Sequence, residues 1–356
     1  MCNTKAWDKL DDCLTKIPVE QAVGTRLAHD ITEIRPGEYK GPSFRKGHKI
    51  ARQDLCHLMR LGKRHLYVLN LEENQVHEDD AVTELATALS GPGITFGATP
   101  KEGKLQLSAA YSGLLKINTE ALVDFNLIAD VMCASLHSNI PVTRGQVVAG
   151  TRAIPLIIDR AVLDQAVGLA RRESPVFSVK AYQRLHARLI ITGNEVYDGL
   201  IEDKFEKIVC DKLEALGAGL KETVILPDDR QVIADHTRRF LASDTDLIIT
   251  TGGMSVDPDD VTRLGIRDAG VDELYYGAAA LPGAMGMLAY KEKIPIVGIP
   301  ACGLYHKATV FDLLLPRLLA GENPDERDLA RLCIGGLCLD CEVCRYPVCS
   351  FGKTGA

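Results

Sequence analysis

From Arg184 to Gly321 the chain repeats one pattern: a short apolar run, a loop with Gly, Pro or Asp, then a stretch of helical period. ARLIIT is followed by FEKIVCDKLEALGAG, ETVIL by QVIADHTRRFLASD, DLIIT by VTRLGIRDAG, and IPIVGIP by KATVFDLLLPRLLAG. Strands alternating with helices are the signature of crossover connections between parallel strands. This stretch therefore predicts an α/β fold, a three-layer doubly wound and mostly parallel sheet. Pro316 is expected to kink or shorten the last helix.

Ligands of such sheets bind beyond the carboxyl ends of the strands, where loops and helix N-termini expose backbone N–H groups. Three strand ends carry suggestive residues. After ARLII comes TGNE, in which Thr192 and Gly193 allow close backbone approach and Glu195 supplies a carboxylate. After DLII comes TTGGMSVDPDDVT. There Gly252 and Gly253 let amides crowd a phosphate, Thr250, Thr251 and Ser255 offer hydroxyls, and Pro258, Asp259 and Asp260 are expected to start a helix. Asp257, Asp259 and Asp260 beside an anion would repel it unless a divalent cation intervened, which suggests Mg²⁺ on carboxylate and phosphate oxygens. The plainer alternative is that Asp257 is an N-cap with acidic residues in the first turn. The third end, GIPACGLYHKAT, holds Cys302 and His306 close in sequence, but no third group that would orient a nucleophile.

The ordered set of strand–TGNE–helix, strand–PDD (Pro227–Asp229), strand–TTGGMSVDPDD, Pro282-Gly283 and strand–GIPACG–helix resembles the molybdopterin-binding domain of the MoeA and MogA proteins of molybdenum cofactor biosynthesis. The likeness covers about residues 184–322. It implies molybdopterin, or adenylylated molybdopterin, with its phosphates near the TGG loop. MogA-type members adenylylate the pterin; MoeA-type members insert molybdate with Mg²⁺ and release AMP. By position, Thr192, Gly193 and Glu195 match the family's TGDE-type loop, and Asp228 and Asp229 its paired-aspartate turn. Thr251, Gly252, Gly253, Ser255 and Asp260 match its TGGVSVGxxD loop, and Pro300 and Gly303 its LPGNP loop. Glu195 and Asp260 are the candidates for metal or general acid–base roles. The departures are Asp257 for a glycine, Asn194 for an aspartate, ACG for GNP, and an LPGAM loop without the lysine of KPGKP. Pro258-Asp259-Asp260-Val261-Thr262 is also similar to the PDDxT of CinA-like proteins, which implies a pyridine-nucleotide-related hydrolase as the alternative.

Ahead of this domain, Gly, charges and short β-prone runs predict a β-rich region over residues 1–80, with a turn at Pro36-Gly37 and a helix within Ala51–Lys63. An α+β region is expected over 81–180, including a helix Ala121–Leu136; the α/β domain then occupies 181–322. VEQAVGTRLAHDI resembles, more faintly, the opening of MoeA-type proteins, which implies a dimer through the front domains.

Residues 323–356 form a cysteine-rich tail. Of eleven cysteines, Cys333, Cys338, Cys341, Cys344 and Cys349 fall here in a C-x4-C-x2-C-x2-C-x4-C array. Adjacent C-x2-C steps bring thiolates onto one metal centre without regular secondary structure. Cys338, Cys341, Cys344 and Cys349 make the simplest four-ligand set, with Cys333 spare, and zinc and an iron–sulfur cluster both stay open. Cys2, Cys13, Cys56, Cys133, Cys210 and Cys302 read as reduced, mostly buried thiols.

Composition bounds the partners. With 46% apolar and 25% charged residues the chain can bury a core, and with 41 basic against 48 acidic residues no net positive field draws it to nucleic acid or anionic membranes. No run approaches the ~20 apolar residues of a membrane span, and MCNTKAWDKLDD lacks a leader pattern, so a cytoplasmic protein is expected. The functional expectation is a molybdopterin-binding protein of cofactor synthesis, modification or delivery. The alternative within that fold is a non-catalytic carrier or sensor that docks through its tail on a molybdoenzyme or another cofactor-synthesis protein.

Overall fold

Residues 14–353, apart from 36–37, 70–72 and 256, are described by a computed structural model. The Pro36-Gly37 turn, Cys2 and Cys13 lie outside the described residues. The chain forms two compact units. One comprises the described residues up to 110 with 117–136 and 145–178; the other comprises 111–116, 137–144 and 179 onward.

In the first unit, Leu14–Pro18 pairs with His65–Leu69 and Ile31–Arg35 with Tyr39–Phe44, both antiparallel. Val19, Leu27, Ile31, Phe44, Ile50 and Leu58 close a small core beside the helix Asp54–Arg60. Farther along, a four-stranded sheet in the order Ile94–Phe96, Lys104–Ala109, Val147–Ala153, Val131–Ser135 accompanies the helices Glu78–Leu89, Thr119–Leu127 and Arg160–Arg172. The helix expected over Ala121–Leu136 is thus cut at Leu127. Asp130 takes a positive φ of 66°, and Val131–Ser135 pairs with Ala149–Ala153 instead. Apolar residues all round a segment fit a strand between covered faces as well as a helix, and tertiary pairing decided.

The second unit is built on a six-stranded sheet. The strands of that sheet and the longer helices around it are β1 (His186–Thr192), α1 (Phe205–Ala215), β2 (Gly219–Leu226), α2 (Arg230–Leu241), β3 (Leu247–Thr251), α3 (Thr262–Asp268), β4 (Glu273–Tyr276), β5 (Met287–Lys291), β6 (Ile294–Ile299), α4 (Val310–Leu319) and α5 (Glu326–Arg331). The order is β2-β1-β3-β6-β5-β4, parallel from β2 through β6 and antiparallel at β5 and β4. The sheet is therefore mixed, with four of its six strands parallel; β5 and β4, absent from the strand–helix alternation, extend one edge antiparallel. Alternate residues of β1 enter separate cores. Leu189 and Ile191 pack with Val209 of α1 and Phe311 of α4, whereas Ile190 packs with Ile233 of α2 and Ile266 of α3.

Pro316 does not break α4. Lacking an N–H, it leaves the Asp312 carbonyl without its usual intrahelical donor. The Tyr346 hydroxyl, from the cysteine-rich tail, donates to that carbonyl at 2.8 Å. Thr309 and Asp312 form a capping box at the other end of the helix. The tail is no separate region: Leu329, Leu332 and Phe351 are buried in the core that contains α4. Among the described residues no helix is long and apolar enough to cross a membrane.

Candidate functional site

Parallel pairing puts Ile191, Thr251 and Ile299 side by side, so the loops after β1, β3 and β6 leave the sheet together. They open on a cavity of about 1420 Å³. Of the residues expected from sequence, Thr192, Glu195, Gly252, Gly253, Ser255, Asp260 and Pro300 line it. Gly193, Asp228, Asp229, Thr251, Asp257, Asp259 and Gly303 do not.

The double glycine is required sterically. Gly252 has φ +82°, and a Cβ there would lie 2.1 Å from the Thr192 carbonyl oxygen; one on Gly253, at φ +54°, would lie 2.2 Å from Thr262 Oγ1. Thr192 and Thr262 share a buried hydroxyl–hydroxyl bond of 2.7 Å, and Thr192 Oγ1 also donates to the Thr251 carbonyl. Their hydroxyls knit the two strand ends together. Thr250 and Thr251 are fully buried, so of the hydroxyls expected to face a ligand on this loop only that of Ser255 belongs to a cavity residue. The helix expected from Pro258 begins at Thr262. The residues before it form a turn: the Asp260 N–H bonds the Asp257 carbonyl at 3.0 Å, and the Asp260 carboxylate accepts the Ser255 N–H at 2.8 Å.

Asp229 is a helix cap, its carboxylate accepting the N–H groups of Gln231 and Val232 at 2.8 and 3.0 Å. Asp228 is locked to Asn194 reciprocally, accepting its N–H at 2.9 Å while the Asp228 N–H donates to the Asn194 side chain at 3.0 Å. Asp228 Oδ1 is buried without a hydrogen-bond partner. Burial first, then the charges of Glu195, Asp260 and Asp259, push this carboxyl above its ordinary range, against the pull of the Asn194 N–H. The Glu195 carboxylate folds over Gly193, where a Cβ would sit 3.1 Å from either oxygen. An orphaned carboxylate oxygen among like charges fits a divalent cation. Among the described residues no group of three or more His, Cys, Asp or Glu could hold an ion alone. Mg²⁺ in phosphate sites commonly uses one or two carboxylates plus the ligand's own oxygens, which such a donor set can supply.

Several cavity residues were not expected. Lys204 lies in the wall and supplies a basic group that the LPGAM loop lacks. Its signal was legible in the D-x-x-E of Asp203–Glu206: Asp203 accepts the N–H groups of Phe205 and Glu206 at 3.0 and 2.8 Å, starting α1 beside the cavity. Leu281, Met285, Ile201 and Tyr305 give an exposed apolar wall, Tyr305 at 83% exposure. Cys302 and His306 line the cavity as well, but the bond between them is backbone to backbone, and burial pushes the Cys302 thiol above its ordinary value. That argues against a thiolate nucleophile. Gly303 is buried against Ile299.

In the tail, Cys333 follows α5 and is exposed. Cys338, Cys341, Cys344 and Cys349 line a second cavity of about 470 Å³. Of the described cysteines outside the tail only Cys133 is buried, its thiol pushed up by burial to about 12, whereas Cys56 is exposed and Cys210 and Cys302 are half-buried. This corrects the expectation of mostly buried thiols: three of these four occupy surface or cavity-wall positions rather than core-facing ones.

The family described as a probable molybdopterin binding domain matches residues 188–320, and a domain of unknown function (DUF8806) matches 16–70. The chain is 30% identical over 94 residues to a probable FAD synthase of Caenorhabditis briggsae, covering 26% of this chain and 18% of that protein. It is 34% identical over 88 residues to a CinA-like protein of Thermosipho melanesiensis, covering 25% and 22%. The matches thus span about a fifth of each of these relatives. Among solved structures, the molybdopterin biosynthesis enzyme MoaB of Thermus thermophilus is 18% identical with a TM-score of 0.34, covering 39% of this chain and 98% of that one.

Proposed function

We propose that this chain, which carries a molybdopterin-binding domain over residues 188–320, binds molybdopterin or its adenylylated form and serves the synthesis, modification or delivery of molybdenum cofactor in the cytoplasm. The observation that carries the reading is the cavity at the aligned ends of β1, β3 and β6, with Gly252 and Gly253 in its wall. The amides of the Gly252-Gly253 loop would hold the phosphate, with Lys204 as counter-charge. Asp260 and Glu195, backed by Asp228, would hold Mg²⁺ against the phosphate; when bound, the ion supplies charge neutralisation that the acidic chain does not. The apolar wall of Leu281, Met285 and Tyr305 suits a flat heterocycle.

Asp260 is the residue best supported for orienting a group at the phosphate, because its second oxygen already fixes the loop through Ser255. Glu195 is the proposed acid–base partner. A turnover assay with adenylylated molybdopterin, molybdate and Mg²⁺ tests the reading. AMP release marks a molybdotransferase-like enzyme; tight binding without release marks a carrier, which would use a partner molybdoenzyme for the final step. Absence of affinity for either pterin would overturn both.

A second reading is a CinA-like hydrolase of pyridine-nucleotide-related substrates. It is supported by the Pro258–Thr262 stretch and by the CinA-like relatives. Hydrolysis of a pyridine dinucleotide by the purified chain, with no pterin binding, would favour it.

A further inference from the structure

Cys338, Cys341, Cys344 and Cys349 line one cavity. A zinc ion draws its thiolates to about 2.3 Å from one centre and needs room for a single atom. The cavity that the four cysteines line measures about 470 Å³, against the roughly 10–15 Å³ that one water-sized sphere needs. An iron–sulfur cluster makes the opposite demand: each cysteinate binds a different iron at the edge of a multi-atom body, so its ligands stand apart around a cavity. The run Cys338-x2-Cys341-x2-Cys344 has the spacing that such clusters use.

The segment carrying the cysteines is a loop tied at its neck and anchored to the sheet. The Gly352 N–H donates to the Gly335 carbonyl at 2.9 Å, and a Cβ on Gly335 would meet the Lys353 carbonyl at 2.3 Å. The Cys338 N–H bonds the Leu281 carbonyl at 2.8 Å, Tyr346 is held on the Asp312 carbonyl, and Phe351 packs edge-on against Tyr346 with ring centres 6.2 Å apart. Between these anchors there is no helix or strand. Leu339 and Val343, in the cavity wall, are 73% and 69% exposed, apolar surface that filling the cavity would cover. Lys307 and Arg345 also line it, together with Asp340 and Glu342, so these four side chains add no net charge to the wall.

We propose that Cys338, Cys341, Cys344 and Cys349 hold an iron–sulfur cluster of the [4Fe–4S] type in the cavity they line, with Cys333 taking no part. The site stands independently of the pterin reading. It is also adjacent to the larger cavity, since Cys338, Asp340, Tyr305 and His306 belong to the walls of both.

The test uses the full chain under anaerobic conditions with ferric iron, sulfide and dithiothreitol. Four ferric ions and four sulfides form a [4Fe–4S]²⁺ core on gaining two electrons, which one dithiothreitol supplies as it closes to its disulfide; four cysteine thiols lose their protons as their sulfurs bond iron. The expected result is a brown protein with iron and acid-labile sulfide in equal amounts, about four of each per chain. The Cys341→Ser/Cys344→Ser double variant, altered only at exposed positions, should keep the far-ultraviolet circular dichroism and lose the chromophore. Cys333→Ser should keep both. Uptake of one tight zinc per chain in place of iron would overturn the proposal, as would undiminished iron and sulfide in the double variant.

Discussion

Asp228→Asn should stabilise the ligand-free protein and weaken its ligand binding at once. In the wild type, Oδ1 is buried with no partner and the carboxylate sits in the field of Glu195, Asp260 and Asp259. Leaving a buried polar group unsatisfied costs about 1–3 kcal/mol. An amide can keep the Asn194 N–H bond with its oxygen but puts its NH2 in the same unpartnered place, so that cost stays and only the charge is relieved; a gain on the order of 1 kcal/mol is expected from that relief, about 2–4 °C in Tm for a unit of this size. The sign with pH follows from linkage. Because folding raises the carboxyl's pKa, the wild type loses stability as pH rises from the unfolded value, about 3.9, through the folded one. The variant loses none from this group, so its advantage should open above that pH and be complete at neutrality. Meanwhile Mg²⁺-dependent affinity for adenylylated molybdopterin should fall roughly tenfold, equivalent to about 1.4 kcal/mol. Thermal unfolding across pH and equilibrium binding with and without Mg²⁺ measure the two effects. A variant less stable than wild type at neutral pH would refute the burial argument; unchanged Mg²⁺ dependence would refute the cation role.

Four further substitutions probe the same unit. Burial raises the Glu322 carboxyl, but hydrogen bonds from Lys116, Lys180 and Arg317 outweigh it and hold it down to about 2; the wild type should therefore lose about 3 kcal/mol at most between the unfolded value of 4.5 and that pH. Burial also lowers the Lys116 ammonium, which offsets part of this gain, so Glu322→Gln should remove the acid-dependent loss and cost on the order of 2 kcal/mol at neutral pH in urea unfolding; an unaltered acid limb would contradict it. Tyr346→Phe should cost about 1–3 kcal/mol by stranding the Asp312 carbonyl below Pro316, and a urea midpoint equal to wild type would show that solvent replaces the hydroxyl. Gly252→Ala should cost about 2–4 kcal/mol and abolish pterin binding, whereas Gly199→Ala, at φ +70° with nothing within 4 Å, should cost only the left-handed penalty of about 1–2 kcal/mol; equal Tm losses would remove the steric argument.

Much of the α/β unit was legible because apolar runs and helical stretches alternate, and strand ends announce themselves with Gly and Asp. Periodicity could not separate the helix Thr119–Leu127 from the strand Val131–Ser135, since both are apolar on more than one face. Nor could motif position tell Asp229, spent on capping α2, from Asp228, whose second oxygen is left over. The D-x-x-E around Lys204 marks only a helix start, and it is the fold that brings the start of α1 to the cavity.

By itself, then, the sequence determined the strand–helix alternation of the α/β unit apart from β4 and β5, the glycine loops and the spacing of the tail cysteines, all local consequences of side-chain size, period and backbone freedom. Tertiary structure decided which of those residues share a cavity, because parallel register aligns the ends of strands dozens of residues apart. It decided as well that four tail cysteines line one cavity, since the anchors of their loop, Leu281 and Asp312, come from distant parts of the chain.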